Sequence, residues 1–260
     1  MQPTPHILFE DVDILVINKP SGLTVNSADT TKNELTVQAW VEENFSFSKD
    51  QRVPGVVAPE QQQYNIEDEF YNRGGIVHRL DKETSGVLVI AKNPESFGKL
   101  KQQFMSRTTE KVYVALAHGK ITPREGDINA PVGRLPFNRM HFGVIAGGRE
   151  ALTQYSVLEY YQNIHSKQKE ILSYVELHPK TGRTHQLRVH LKYLNHPIVA
   201  DPLYAGRKVG REDRKILPRL FLHAFRLSFA HPTTDKPMTI ESPLPEELVS
   251  FLTTLEKITE

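Results

Sequence analysis

The uninterrupted apolar runs of this chain, Ile14–Ile17 and Val87–Ala91 among them, fall far short of the ~20 residues a membrane-crossing helix needs. Runs this short, bounded by Gly, Pro, Asn and Asp, have the length of buried strands. Ile7–Lys19 reads as two strands around the acidic turn Glu10-Asp11-Val12-Asp13, closed by Lys19-Pro20-Ser21-Gly22. Gly86–Lys92 is a third strand and Lys111–His118 a fourth. Ala151–Tyr161 and Glu170–His178 form an antiparallel pair, and Phe221–Phe229 with Lys236–Glu241 a hairpin. Helices are expected over Leu35–Phe45, with Thr31 or Asn33 as cap, and over Pro94–Met105, Thr184–Leu194 and Pro245–Ile258. The polar residues 46–72, with prolines at 54 and 59 and glutamines at 61–63, read as a mobile insertion. Strands in antiparallel runs with helices between them predict an α+β fold: a mostly antiparallel central sheet flanked by helices and loops, in one domain spanning 1–260.

Composition excludes whole classes of chemistry. With no cysteine in 260 residues, disulfide scaffolds, thiolate nucleophiles, Cys-ligated zinc and iron–sulfur clusters are ruled out. The N-terminus has no basic cluster followed by an apolar stretch, so a cytoplasmic protein is expected. The net charge of +1 hides an uneven distribution. Residues 73–120 carry nine basic and four acidic side chains, and residues 180–231 eleven and three. Residues 121–179 balance at six each, and residues 1–72 carry four against twelve. Two basic segments meeting in the fold would make a polyanion surface. Solvated faces that never converge remain the plainer alternative.

The densest chemical text is Gly74-Gly75-Ile76-Val77-His78-Arg79-Leu80-Asp81-Lys82-Glu83-Thr84-Ser85-Gly86, which runs straight into a buried strand. Glycines on its flanks allow backbone conformations and close approaches that other residues resist. Asp81 stands between Arg79 and Lys82, and nearby cations keep a carboxylate ionised, fit to act as nucleophile or base. A surface loop with a solvated ion pair is the plainer alternative. In Pro179–Leu191, Leu187 and Leu191 lie four apart and face the core of a helix, while Arg188 can reach a carboxylate or phosphate. His185 and His190 are five apart with no metalloprotease glutamate between them, so they read as positioning groups, not ligands. Tyr113, in Lys111–Ala115, is either a core aromatic or a platform for a base.

Taken together these passages resemble the RluA-type RNA pseudouridine synthases. His78–Gly86 is similar to that family's catalytic signature, Lys111–Ala115 to its tyrosine segment and Thr181–Leu191 to its arginine segment. Ile17–Val25, His196–Tyr204, and Leu222-His223-Ala224 with His231-Pro232 also fit, in order. Because the first strand starts close to residue 1, the resemblance carries no expectation here of the small RNA-binding domain that precedes many catalytic domains of the family. Asn26-Ser27 also replace a common His-Pro pair. The resemblance implies that Asp81 is the essential catalytic residue, with Arg188 keeping it charged and Tyr113 stacking the detached uracil. Arg79 would stabilise the position vacated by the flipped base, and His78, Lys82, Arg183 and Gln186 would contact substrate. The implied reaction involves neither redox change nor net hydrolysis, so no metal and no cofactor are expected. The partner is RNA, ribosomal or transfer, acted on by a monomer. Two alternatives remain: a nucleoside-bond hydrolase with Glu83 as second carboxylate, and a non-catalytic RNA-binding protein.

Overall fold

Backbone hydrogen bonding divides the chain into twelve strands and six α-helices among the residues that the computed structural model describes, 4–27, 34–48, 65–164 and 169–258. The elements begin with β1 (His6–Glu10), β2 (Ile14–Lys19), α1 (Val37–Asn44), α2 (Ile66–Asn72), β3 (Ser85–Ala91), α3 (Pro94–Ser106) and β4 (Glu110–His118). Next come β5 (Glu125–Asn129), β6 (Val132–Leu135) and β7 (Asn138–Val144), then β8 (Leu152–Gln162) and β9 (Ile171–Pro179). The last elements are α4 (Gln186–Tyr193), α5 (Arg207–Asp213), β10 (Leu222–Ala230), β11 (Pro237–Glu241), α6 (Glu246–Thr253) and β12 (Glu256–Ile258). Two compact units, interleaved in sequence, account for them. One holds residues up to Lys82 with 87–109 and 228–240; the other holds 83–86, 110–227 and 241–260. Among the described residues no helix is long and apolar enough to cross a membrane.

In the first unit β1 and β2 pair antiparallel, with β3 next to β2. The turn between β1 and β2 is acidic for a local reason: Asp11 Oδ1 accepts the N–H groups of Asp13 and Ile14, both at 2.8 Å. Ile14–Ile17 and every residue of β3 are buried, the continuous apolar pattern of a strand covered on both faces. Asn93 caps α3 by accepting the Ser96 N–H at 2.8 Å, with Pro94 at the first turn. Helix α1 is capped by Thr36, whose hydroxyl accepts the Ala39 N–H; Thr31 and Asn33 lie outside the described residues. The expected insertion at 46–72 is corrected at both ends: Ser46–Ser48 form a 3₁₀ turn and Ile66–Asn72 a helix. Asn65 caps that helix, three carboxylates occupy its first turn, and buried Phe70 packs edge-on against Phe97. Residues 49–64 lie outside the described residues.

The second unit is built on strands in the order β10-β4-β9-β8-β12, with β5 also on β8. The pairs β4–β9, β8–β9, β5–β8 and β12–β8 are antiparallel, and Ser85–Gly86 run parallel to His223–Ala224. The fold is therefore α+β with a mostly antiparallel sheet. Leu187 and Leu191 seat α4 on a core that includes Leu116, Val175 and Phe221. Strands β6 and β7 make a separate two-stranded ribbon. The expected closing helix Pro245–Ile258 is also corrected. It stops at Thr253, where the Thr253 and Thr254 hydroxyls donate to the Ser250 and Phe251 carbonyls, and Glu256–Ile258 pair with the edge of β8.

Candidate active site

The loop that carries Asp81 is fastened at its start by a close backbone approach. Gly75 has φ +76°, and a Cβ there would lie 2.1 Å from the Ala91 carbonyl oxygen, so only glycine fits. Two residues before Asp81, Arg79 is exposed. His78 stacks on Phe104 at 4.4 Å between centroids, and its Nε2 accepts the Val89 N–H at 3.1 Å. That bond fixes the ring to β3. Immediately after Asp81, the Lys82 carbonyl accepts the Gly22 N–H at 2.8 Å and the Lys19 ammonium at 3.1 Å. Lys19 is completely buried and also donates to the carbonyls of Pro20 and Leu23. A buried ammonium is tolerable only with such partners, so the Lys19-Pro20-Ser21-Gly22 passage acts as a clamp on the loop. The Lys82 side chain itself pairs with Glu34 at 2.8 Å, with both groups about half exposed.

In the second unit the same loop ends at Glu83–Gly86. Gly86, at φ +120°, brings its backbone so near Ala224 that a Cβ would lie 2.1 Å from the carbonyl oxygen. Ser85 Oγ receives a hydrogen bond from buried Arg219 at 2.7 Å and lies 2.8 Å from His223 Nδ1. His223 is fully buried, and its other nitrogen donates to the Ser242 carbonyl at 3.0 Å. Burial, against the raising effect of that bond and with the help of the Arg219 charge, pushes the His223 pKa down to about 4. The ring is therefore neutral, with its proton on Nε2. Glu83, the residue a hydrolase would need as a second carboxylate, pairs with Arg214 and accepts the Leu220 N–H at 3.2 Å.

Arg188, on α4, is buried and makes a two-point ion pair with fully buried Asp201, Nε to Oδ2 at 2.8 Å and Nη2 to Oδ1 at 2.9 Å. Its guanidinium also lies 5.0 Å from the centre of the Tyr204 ring. Asp201 Oδ1 in turn accepts the N–H groups of Leu203 and Tyr204. Ala200 is left-handed, at φ +61°, and its N–H is held by Asp213 Oδ2 at 3.0 Å. The same carboxylate oxygen lies 3.0 Å from His118 Nε2, and Glu170 lies 3.1 Å from His118 Nδ1. Burial lowers the affinity of His118 for a proton, but the bonds to Asp213 and Glu170 outweigh it and raise the pKa to about 9. His118 is thus an imidazolium at neutral pH. Tyr113 lies on β4 opposite Leu177, half-buried against the core.

One further expectation changes. Gln186, read as a substrate contact, is buried with its amide fully engaged. Its oxygen accepts from Thr181 Oγ1 and the Arg183 N–H, and its nitrogen donates to the Leu152 carbonyl and Thr153 Oγ1. It shapes the loop before α4. Arg183 donates through Nε to the Glu150 carbonyl at 3.0 Å. His185 and His190 hold structure, as expected. His185 Nδ1 meets the Tyr204 hydroxyl at 2.8 Å, and His190 bridges Thr153 and the Ala130 carbonyl. Asp11, Asp13 and His231 gather closely enough to hold an ion. The His231 ring, however, is committed to protein, with Nδ1 accepting two backbone N–H groups and Nε2 lying 2.8 Å from Asp11. The sequence reading assigns no role to Lys19, Asp201, Arg219 or His223. Each acts through a partner too distant in the chain, or too plain in chemistry, to mark it.

Residues 13–193 match the family described as RNA pseudouridylate synthase. The ribosomal large subunit pseudouridine synthase D of Neisseria meningitidis serogroup B is 37% identical over 256 residues, 96% of this chain and 60% of that protein. An uncharacterized RNA pseudouridine synthase of Aquifex aeolicus is 37% identical over 256 residues, covering 97% of this chain and 73% of that one. The solved structure of human RNA pseudouridylate synthase domain containing 1 superposes with a TM-score of 0.70 at 29% identity, over 100% of this chain and 92% of that one. This chain thus spans 60% of the length of the Neisseria protein.

Proposed function

Because the chain belongs to the RNA pseudouridylate synthase family, we propose that it isomerises uridine in RNA to pseudouridine. The observation that carries the reading is the loop around Asp81. A half-buried carboxylate stands in a segment whose backbone is fixed before it by Gly75 and after it by the Lys19 clamp on Lys82. Such rigidity holds one reactive group in place. In the isomerisation the bond from N1 to the sugar breaks, the uracil rotates, and C5 takes the place of N1; the proton lost from C5 ends on N1. Asp81 serves this sequence as nucleophile on the sugar or as base for a sugar proton. Arg188 favours its ionised form, and Tyr113 retains the detached base by stacking. Arg79 supports the position left by the flipped uridine. The reading takes the whole chain as one catalytic domain, a cytoplasmic monomer working without metal or cofactor. A hydrolase is the weaker reading because Glu83 is tied to Arg214 and the Leu220 N–H.

The names of the relatives favour large-subunit ribosomal RNA over transfer RNA as substrate. Mapping pseudouridines in a strain lacking this gene tests the proposal. One or a few ribosomal positions should revert to uridine and return on complementation. An unchanged map in both RNA classes refutes it.

A further inference from the structure

Helix α4 carries a buried ion where a core needs none: Arg188 is as buried as its neighbours Leu187 and Val189. Taking a guanidinium out of water is costly, and a well-packed apolar side chain of similar volume holds a core at least as well. The charge is met by Asp201, fully buried and 13 residues further on, which receives Nε at Oδ2 and Nη2 at Oδ1. Two parallel bonds fix the plane of the guanidinium as well as its position, where a single bond would let it swivel. The Tyr204 ring adds a third constraint, its centre 5.0 Å from the guanidinium carbon.

The carboxylate is held more firmly than a counter-ion requires. Besides Arg188, Oδ1 accepts the Leu203 and Tyr204 N–H groups at 2.9 and 3.1 Å. On the preceding residue, left-handed Ala200, the N–H goes to Asp213 and the carbonyl accepts Arg214 Nε at 3.1 Å. Helix α5 closes over this turn, so near that a Cβ on Gly210 would lie 3.0 Å from the Asp201 carbonyl oxygen. Behind the Tyr204 ring, its hydroxyl meets His185 Nδ1 at 2.8 Å. We propose that Asp201 is a positioning residue for the isomerisation: by holding the Nε–Nη2 edge of Arg188 it makes the guanidinium act on Asp81 from one fixed orientation. The assignment rests on the reading that Arg188 favours the ionised form of Asp81, and adds the group that gives the arginine its aim. The same bonds decide what an asparagine does at this position. The Leu203 and Tyr204 N–H groups keep an oxygen at the Oδ1 place, so the amide nitrogen takes the Oδ2 place and faces Arg188 Nε, donor against donor. The size of the side chain is kept and the orientation of Arg188 is lost.

The test is the single-turnover rate of pseudouridine formation on total RNA from a strain lacking this gene, followed across pH and divided by the folded fraction of each protein. Asp201→Asn, Asp201→Glu, Arg188→Met and the double variant Arg188→Met with Asp201→Asn are compared with the wild type. In Asp201→Asn the rate at saturating enzyme should fall about a hundredfold. The enzyme concentration giving half that rate should stay within about threefold of wild type. The acid limb should move to higher pH by about one pH unit, the direction expected when a cation stops acting on a carboxylate. Arg188→Met should move the limb the same way, and adding Asp201→Asn to it should change the rate by less than about twofold, because Asp201 acts through Arg188. Asp201→Glu keeps the charge and displaces the carboxylate by one methylene, so it carries the test if Asp201→Asn does not fold. Its rate should recover to about tenfold below wild type, with the acid limb between those of the wild type and Asp201→Asn. If the Asp201 variants melt lower yet keep the wild-type rate per folded molecule and the wild-type acid limb, the ion pair is a core contact and the proposal falls. It falls equally if the losses of Arg188→Met and Asp201→Asn multiply in the double variant. A wild type that forms no pseudouridine on this RNA breaks the isomerase reading and the proposal with it, whereas failure of the variants beside an active wild type breaks the proposal alone.

Discussion

Two buried histidines of the second unit, His118 and His223, carry opposite charge for reasons visible in their partners. His118 sits between the carboxylates of Asp213 and Glu170 and is an imidazolium, with its pKa raised to about 9. His223 sits near the Arg219 guanidinium, between Ser85 and the Ser242 carbonyl, and is neutral, with its pKa lowered to about 4. Burial disfavours the charged ring in both cases. The neighbouring charge decides the outcome. Each ring also stands behind one half of the proposed chemistry. His223 anchors the residues just after Asp81, and His118 holds the carboxylate that fixes Ala200, next to the Asp201 partner of Arg188.

The contrast predicts a stability profile with two limbs. The folded pKa of His118 lies above the ordinary 6.5, so its contribution is complete below pH 6.5 and is lost as pH rises through about 9. The folded pKa of His223 lies below 6.5, so its contribution is complete above pH 6.5 and is lost as pH falls through about 4. Each shift corresponds to on the order of 3 kcal/mol. Thermal melting across pH should therefore peak near pH 6.5. His118→Gln should flatten the alkaline limb and His223→Gln the acid limb. If either variant flattens the other limb, the charge assignments are reversed.

Arg219→Met gives the next effect, about 2–3 kcal/mol, because Ser85 Oγ and the Glu83 and Leu222 carbonyls lose a buried donor. The His223 titration followed by NMR should move upward in that variant, since a cation has been removed. An unmoved midpoint would make burial the whole cause. Asp213→Asn should lower the His118 pKa while the side-chain oxygen still accepts the Ala200 N–H. Melting should then drop at pH 6, where the His118 contribution is complete, and turnover should fall several-fold; a turnover equal to wild type would disconnect His118 from Arg188. Lys82→Ala, which breaks the half-exposed pair with Glu34, should change stability by less than about 1 kcal/mol. A larger loss would mean the side chain, and not the Lys82 carbonyl, anchors the loop.

What was legible in the sequence was local. Apolar runs marked β2 and β3, and glycines bracketing Asp81 marked a loop whose close approaches at Gly75 and Gly86 the structure displays. The supporting bonds were not legible because they join distant positions: His118 and Asp213 are 95 residues apart, Ser85 and His223 138. The β6–β7 ribbon escaped notice because Val132-Gly133-Arg134-Leu135 lacks a clean alternation of apolar and polar residues. Counting charge by segment also misses how the fold groups it: residues 121–179 are neutral in sum, yet Arg134 and Arg149 line one cleft with Arg183. Helix α5, Arg207–Asp213, has a glycine at its centre and mostly charged residues, so no apolar stripe announced it.

The most direct test is pseudouridine formation by Asp81→Asn on RNA from a strain lacking the gene, read by chromatographic separation of the two isomeric nucleosides after complete digestion. Asparagine preserves shape and removes the charge. The account predicts that turnover disappears while RNA affinity stays within about tenfold of wild type, since one carboxylate adds little to phosphate binding. Turnover within tenfold of wild type would contradict it, and the reacting group would have to be sought outside the loop.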